Sequence, residues 1–139
     1  MITDGKEREL NIEALTDNLQ QVLDFVDAAL EEANCPVKTQ MQLNIAVEEI
    51  FINIASYAYA PGKGDATVKF SVEDGSAHIT FYDRGTPYDP LAKEDPDVTL
   101  GASERPIGGL GIYMTKKMMD DVIYEHKDGY NVLKLVKKL

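Results

Sequence analysis

"ATVKFSVEDGSAHITFYDR", residues 66 to 84, alternates apolar and polar side chains on both sides of Asp74-Gly75. A period of two predicts half-buried strands, and Asp-Gly is a favoured two-residue hairpin turn. "DVIYEHKDGYNVLKLVKK", residues 121 to 138, repeats the arrangement around Asp128-Gly129. Two such hairpins predict a mostly antiparallel sheet. Upstream, "ERELNIEAL" (7–15) alternates weakly and reads as a first strand.

Between these strands lie three helical stretches. In "LTDNLQQVLDFVDAALEEAN" (15–34), Leu15, Leu19, Val22, Val26 and Leu30 recur at helical spacing. Thr16 or Asp17 is placed to cap it, and Asn34 followed by Pro36 ends it. In "VKTQMQLNIAVEEIFINIASYAYA" (37–60), Leu43, Val47, Ile50 and Ile54 form one stripe, and "PGKGD" (61–65) breaks it. "GLGIYMTKKMMDD" (109–121) reads as the third helix. The order β, α, α, β, β, loop, α, β, β predicts an α+β fold. It is a two-layer α/β sandwich with helices on one face of the sheet.

The 139 residues fit one domain over 1–139. A chain of this length buries enough surface for a real core. Its formal net charge of −10 argues against a nucleic-acid surface, which needs clustered Lys and Arg. Cys35 is the only cysteine, so no internal disulfide forms. The N-terminal "MITDGKEREL" lacks the apolar core of a signal peptide, and no apolar run has the length of a membrane span. Together these predict a cytoplasmic protein.

Three stretches carry candidate chemistry. On the second helix, Glu49 and Asn53 are four apart and share a face. A carboxylate can take a proton there, and an amide oxygen can ligate a hard cation such as Mg²⁺. A surface Glu beside a solvated Asn is the bland alternative. In "YDRGTP" (82–87), Asp83 can accept a hydrogen bond from a ligand amino group, and Gly85 permits positive φ or close approach. A polar turn after a strand explains the same residues. In "ERPIGGLGI" (104–112), three glycines precede a helix. Glycines there let a phosphate reach the unpaired N–H groups of the helix start, although a hinge needs them as well. The stretch is neither a P-loop nor a full Rossmann fingerprint.

Residues 85 to 107 lack periodicity and hold four prolines. A loop of that length in a compact domain suits an active-site lid. His78 and His126 have no Cys or His cluster beside them in sequence, so metal ligation is not expected of them. Met114, Met118 and Met119 read as core or interface packing, and "EDPD" (94–97) as a solvated loop.

In order, E-x-x-x-N on a helix, D-x-G-x-P after a strand, and G-G-x-G at a helix start behind a long loop resemble the GHKL ATPase superfamily. The chain looks most like its anti-sigma regulatory factor branch, the small serine-protein kinases of bacteria. The resemblance covers roughly residues 8 to 138. It implies that Glu49 is the general base and that Asn53 holds Mg²⁺ against the phosphates of ATP. It implies that Asp83 pairs with the adenine amino group, with Gly85 and Pro87 in the same motif. Gly108, Gly109, Leu110, Gly111 and Ile112 fall on the phosphate-binding turn, and residues 89–107 on the ATP lid. Within that loop Arg105 is the candidate phosphate contact, and Lys93 reads as solvent-facing. Glu48 misses the register with Asn53 and reads as surface.

Two positions depart from the branch. Its members often have His where Tyr57 stands, four residues after Asn53, and a Thr after the last hairpin's glycine, near Asn131. The leading function implied is an ATP-dependent serine/threonine kinase that phosphorylates an anti-anti-sigma partner and binds a sigma factor. A homodimer is compatible with the family. The alternative is an ATP-responsive binding module with negligible transfer, and a metabolic ATP hydrolase ranks third. No nucleic acid or membrane partner is expected.

Overall fold

The computed structural model describes residues 7–92 and 110–139. Five strands form one antiparallel sheet in the order β1-β2-β3-β5-β4. They are β1 (Arg8–Glu13), β2 (Asp65–Glu73), β3 (Ser76–Asp83), β4 (Asp121–Lys127) and β5 (Tyr130–Lys138). The helices are α1 (Leu19–Glu32), α2 (Val37–Asn53) and α3 (Leu110–Met118). This is the expected α+β architecture.

Both hairpins turn where the sequence predicts. Asp74 and Gly75 have φ of 52° and 77°, and Asp128 and Gly129 have φ of 55° and 84°. Positive φ at both central residues is what a type I′ turn requires, and it matches the twist of the flanking strands. The alternation then places Ala66, Val68, Phe70 and Val72 of β2 and Ala77, Ile79 and Phe81 of β3 on one buried face. Leu133 and Leu135 of β5 extend that face. Val22, Val26 and Leu30 of α1 and Leu43, Val47, Ile50 and Phe51 of α2 complete the core. Burial of each Val, Leu, Ile or Phe side chain among these stabilises by about 1.5–3 kcal/mol before chain entropy is set against it.

α1 ends at Asn34, which takes φ of 59°. Asn34 N–H donates to Glu31 O at 3.1 Å and Cys35 N–H to Leu30 O at 3.0 Å. These two bonds satisfy the last carbonyls in a Schellman closure, and Pro36 prevents continuation. α1 and α2 are joined by Asp27 Oδ1, which accepts from Gln40 Nε2 at 2.9 Å and Asn44 Nδ2 at 2.8 Å. Burial pushes the Cys35 thiol up from its ordinary value.

The structure corrects four local expectations. Neither Thr16 nor Asp17 caps α1: a 3₁₀ turn over Thr16–Asn18 precedes it, and no side chain bonds to its first N–H groups. α2 does not run regularly to residue 60, because a wider π turn over Ile54–Ala58 follows Asn53. α3 stops at Met118, and Asp121 already belongs to β4. Its end is fixed by Asp120 N–H donating to Val136 O at 2.9 Å and Lys137 Nζ donating to Met118 O at 2.7 Å. A cation at a helix C-terminus is favourable. Finally, the segment after β3 contains a short 3₁₀ turn over Pro90–Ala92. Among the described residues no helix is long and apolar enough to cross a membrane.

Candidate functional site

Glu49 and Asn53 lie half-buried on the face of α2 that turns toward α3. Asn53 Nδ2 donates to Glu49 Oε2 at 2.7 Å, as the spacing of four allows. This bond uses the amide nitrogen, so the Asn53 oxygen remains the acceptor end of the side chain. Glu48 is exposed, as expected of a surface residue.

Gly111, in the first turn of α3, faces that carboxylate. A Cβ built at Gly111 would stand 1.8 Å from Glu49 Oε1 and 2.2 Å from its carboxyl carbon. With the carboxylate where it stands, no atom larger than hydrogen fits there, so glycine is what admits the close approach. Its φ is not among the positive values, so conformational freedom is not the reason. A carboxylate at the first turn of a helix also complements the partial positive charge there. Thr115, buried in α3, donates its hydroxyl to Gly111 O at 2.9 Å.

Past the C-terminal end of α2, beside the π turn that follows it, the last residue of β3 is Asp83, only 6% exposed on the otherwise apolar inner face. Asp83 Oδ1 accepts from Gly85 N–H at 2.9 Å and from Asn131 Nδ2 at 2.9 Å. Asp83 and Asn131 are cross-strand partners in the β3–β5 register. Asn131 is itself buried, and its Nδ2 also lies 3.3 Å from Gly85 O and 3.1 Å from Thr86 O. Its Oδ1 accepts from the Tyr124 hydroxyl and, at 3.4 Å, from Tyr88 N–H.

Gly85 also has no room for a side chain on its protein side. A Cβ there would meet Ala58 O at 2.2 Å, and Thr86 N–H donates to the same carbonyl at 2.8 Å. The close approach is to the backbone at the end of the π turn. Tyr59 adds a second tie, donating its hydroxyl to Asp65 O at 2.5 Å and accepting from Arg84 N–H at 2.7 Å. Burial raises the pKa of both Tyr59 and Tyr124 from the ordinary tyrosine value.

The structure thus brings Glu49, Asn53 and Gly111 together in the C-terminal part of α2, and sets Gly85, with Asp83 beside it, against the π turn that follows. Ile112 is partly buried against the core, and Pro87 is exposed. Leu110 begins α3. Gly108, Gly109, Arg105, Lys93, residues 94–97 and the lid from 93 onward lie outside the described residues. Tyr57 is 69% exposed on the π turn. Of the three methionines, Met119 is buried, Met118 is partly buried and Met114 is exposed. His78 Nδ1 has no hydrogen-bond partner among the described residues and stands 4.0 Å from Glu73 Oε2. Among the described residues no three His, Cys, Asp or Glu side chains gather as a metal cage.

Sequence reading marked Asn131 only as a departure from the branch, and missed its bonds to Tyr124 and Asp83 and the separate tie made by Tyr59. The signal for Asn131 was present: the alternation puts it on the face of Leu133 and Leu135, and a polar residue there must find partners. Tyr59 carried no comparable signal.

A family model described as the histidine kinase-like ATPase domain matches residues 12–137. The serine-protein kinases RsbW of Bacillus cereus (strain B4264) and of Bacillus anthracis are each 30% identical over 95 residues. Each match covers 66% of this chain and 59% of the relative, so the likeness spans about three-fifths of those proteins. A crystal structure of the RsbU and RsbW domains of Rv1364c from Mycobacterium tuberculosis superposes with a TM-score of 0.69. It does so at 17% identity over 96% of this chain and 32% of that one, which is a likeness of fold.

Proposed function

The chain belongs to the histidine kinase-like ATPase domain family, and from that premise we propose that it is an ATP-dependent serine/threonine protein kinase acting as an anti-sigma regulatory factor. Its substrate is a Ser or Thr hydroxyl on an anti-anti-sigma partner, and it also binds a sigma factor. A homodimer is part of the same reading.

The observation that carries this reading is the packing of Gly111 against Glu49. It puts a carboxylate, an amide oxygen and a helix start into one corner. In transfer, the partner's hydroxyl oxygen forms a bond to the γ-phosphorus as the bond to the bridging oxygen breaks and ADP leaves. The hydroxyl proton passes to Glu49. Such a step depends on positioning and charge neutralisation more than on covalent help.

The donor set suits Mg²⁺. One amide oxygen on Asn53, with no all-protein cage among the described residues, fits a cation that keeps several waters and takes other oxygens from phosphates. When bound, the ion supplies neutralisation of the phosphate charge. Asn53 would hold it, and the Asn53–Glu49 bond fixes which end of the amide is offered. Asp83 accepts the adenine amino group. The first turn of α3, with Gly108, Gly109, Leu110, Gly111 and Ile112, receives the phosphates, and Arg105 is their candidate cationic contact. The cytoplasm is the compartment in which we place this activity.

Tyr57 favours a second reading. It is exposed and carries a phenol where the branch often has an imidazole, so a module that binds ATP and partner without transfer is consistent with it. Glu49→Ala separates the two. Calorimetry with Mg-ATP should give unchanged nucleotide affinity, while transfer from labelled ATP to the partner falls by about 10²–10⁴-fold. Undiminished transfer would remove Glu49 as the base. Absence of transfer in the wild type, with partner affinity still responding to ATP, would establish the module instead.

A further inference from the structure

The inner face of β5 opens with a polar residue where an apolar one would be expected. Asn131 is buried, and every group around its amide except the Tyr124 hydroxyl has fixed polarity. Its Nδ2 faces only acceptors: Asp83 Oδ1, Gly85 O and Thr86 O. Its Oδ1 faces the backbone N–H of Tyr88, which can only donate. A flipped amide would set oxygen against three oxygens and NH₂ against an N–H. The orientation is therefore dictated by backbone groups and by the carboxylate. With Asn131 so fixed, the Tyr124 hydroxyl beside Oδ1 must donate. Burial, which raises its pKa, keeps that hydroxyl protonated.

The chain of donors runs from Tyr124 to Asn131 to Asp83. At its end Asp83 Oδ1 holds two donors, Gly85 N–H and Asn131 Nδ2. Recognition of an incoming donor then falls to Oδ2. A carboxylate pinned in this way accepts from an amino group and rejects a carbonyl oxygen at the same place. A site built for a hydrogen-bond donor discriminates strongly because the mismatch leaves a buried polar group unpaired.

We propose that Tyr124 and Asn131 are positioning residues for Asp83, and that this relay sets the preference for a purine bearing an exocyclic amino group over one bearing oxygen there. The proposal rests on the reading of Asp83 as the adenine contact. Both act through the carboxylate, Asn131 directly and Tyr124 through Asn131. Tyr124 lies in β4 and Asn131 in β5, opposite β3, so the relay crosses three strands of the sheet.

The test uses Mg-ATP and Mg-ITP, which differ by an amino group against a carbonyl oxygen at purine position 6, with the accompanying N1–H in the latter, titrated calorimetrically into the full chain. Wild type should bind ATP more tightly than ITP. Tyr124→Phe removes one hydroxyl and keeps the ring. It should weaken ATP by about three- to tenfold, the scale of one lost hydrogen bond, and leave ITP unchanged, so the ratio contracts. Asn131→Asp keeps the size and the acceptor toward Tyr124 but sets a second carboxylate against Asp83. It should weaken ATP by about a hundredfold. Far-UV circular dichroism and thermal unfolding check that each variant is folded at the titration temperature.

Equal affinity of the wild type for the two nucleotides would overturn the Asp83 reading itself. A wild type that discriminates beside a Tyr124→Phe variant that keeps the full ratio would overturn the relay alone. Equal loss of both nucleotides in folded Tyr124→Phe would also overturn it, since a merely structural role weakens them together.

Discussion

The Asp83 end and the Glu49 end of the candidate site are built differently. At the Asp83 end the carboxylate is gripped by Gly85 N–H and Asn131, and the following turn is fastened to Ala58 O, Tyr59 and Asn131. Backbone meets backbone there, and little can give. At the Glu49 end one described side-chain bond joins Asn53 to Glu49, and the neighbour across the gap is a glycine. The obstacle at that end is the tip of a half-exposed side chain. The first end is a fixed mould, suited to reading a rigid flat base. The second is adaptable, suited to a phosphate chain and a metal that arrive with their own geometry.

Two glycines expose this difference most directly. Gly111→Ala puts a methyl 1.8 Å from Glu49 Oε1, and the carboxylate can swing away. Folding should hold, while partner phosphorylation falls by about a hundredfold, the scale expected when a reacting group is displaced by an ångström. Labelled-ATP transfer alongside a thermal melt checks both halves. Gly85→Ala puts a methyl 2.2 Å from Ala58 O, and neither backbone can retreat. That change should cost about 1–3 kcal/mol of stability, read as a Tm lower by several degrees. If the two alanines gave the same pattern of loss, the contrast between mould and adaptable corner would fall.

Tyr59→Phe sharpens the mould. It deletes the hydroxyl that donates to Asp65 O and accepts from Arg84 N–H. Denaturant unfolding should report about 1–2 kcal/mol lost, with nucleotide affinity falling through the loosened turn around Asp83. An unchanged midpoint would show that the turn is held by Ala58 O and Asn131 without help.

The smallest effect is one of pH. Burial raises the Tyr59 pKa, so the folded chain holds that proton more tightly than the unfolded one. The stabilisation is complete below the ordinary tyrosine value of about 10 and is lost as pH rises through the folded value. The stability gap between wild type and Tyr59→Phe should therefore narrow when unfolding is followed from pH 8 to above about 10. A gap that widened would mean that the hydroxyl is better held as the anion.

Much of this protein was legible in the chain. Period-two alternation, the two Asp-Gly turns and the apolar stripes of the first two helices fix the strands, those helices and the pairing within each hairpin, because each is a matter of neighbours in sequence. The spacing of four likewise brings Glu49 to Asn53, and the bond between them is within one helix. The glycines at 85 and 111 signalled close approach, but not what approaches. Ala58 O and the Glu49 carboxylate come from other elements, and only the packing of α2 against β3 and α3 names them. Asn131 could be marked as a polar residue on an apolar face, yet its partners lie on β3, β4 and the turn after β3. Local periodicity is written residue by residue. Contact between distant segments is decided by how the buried faces close on one another, and that is a property of the tertiary structure alone.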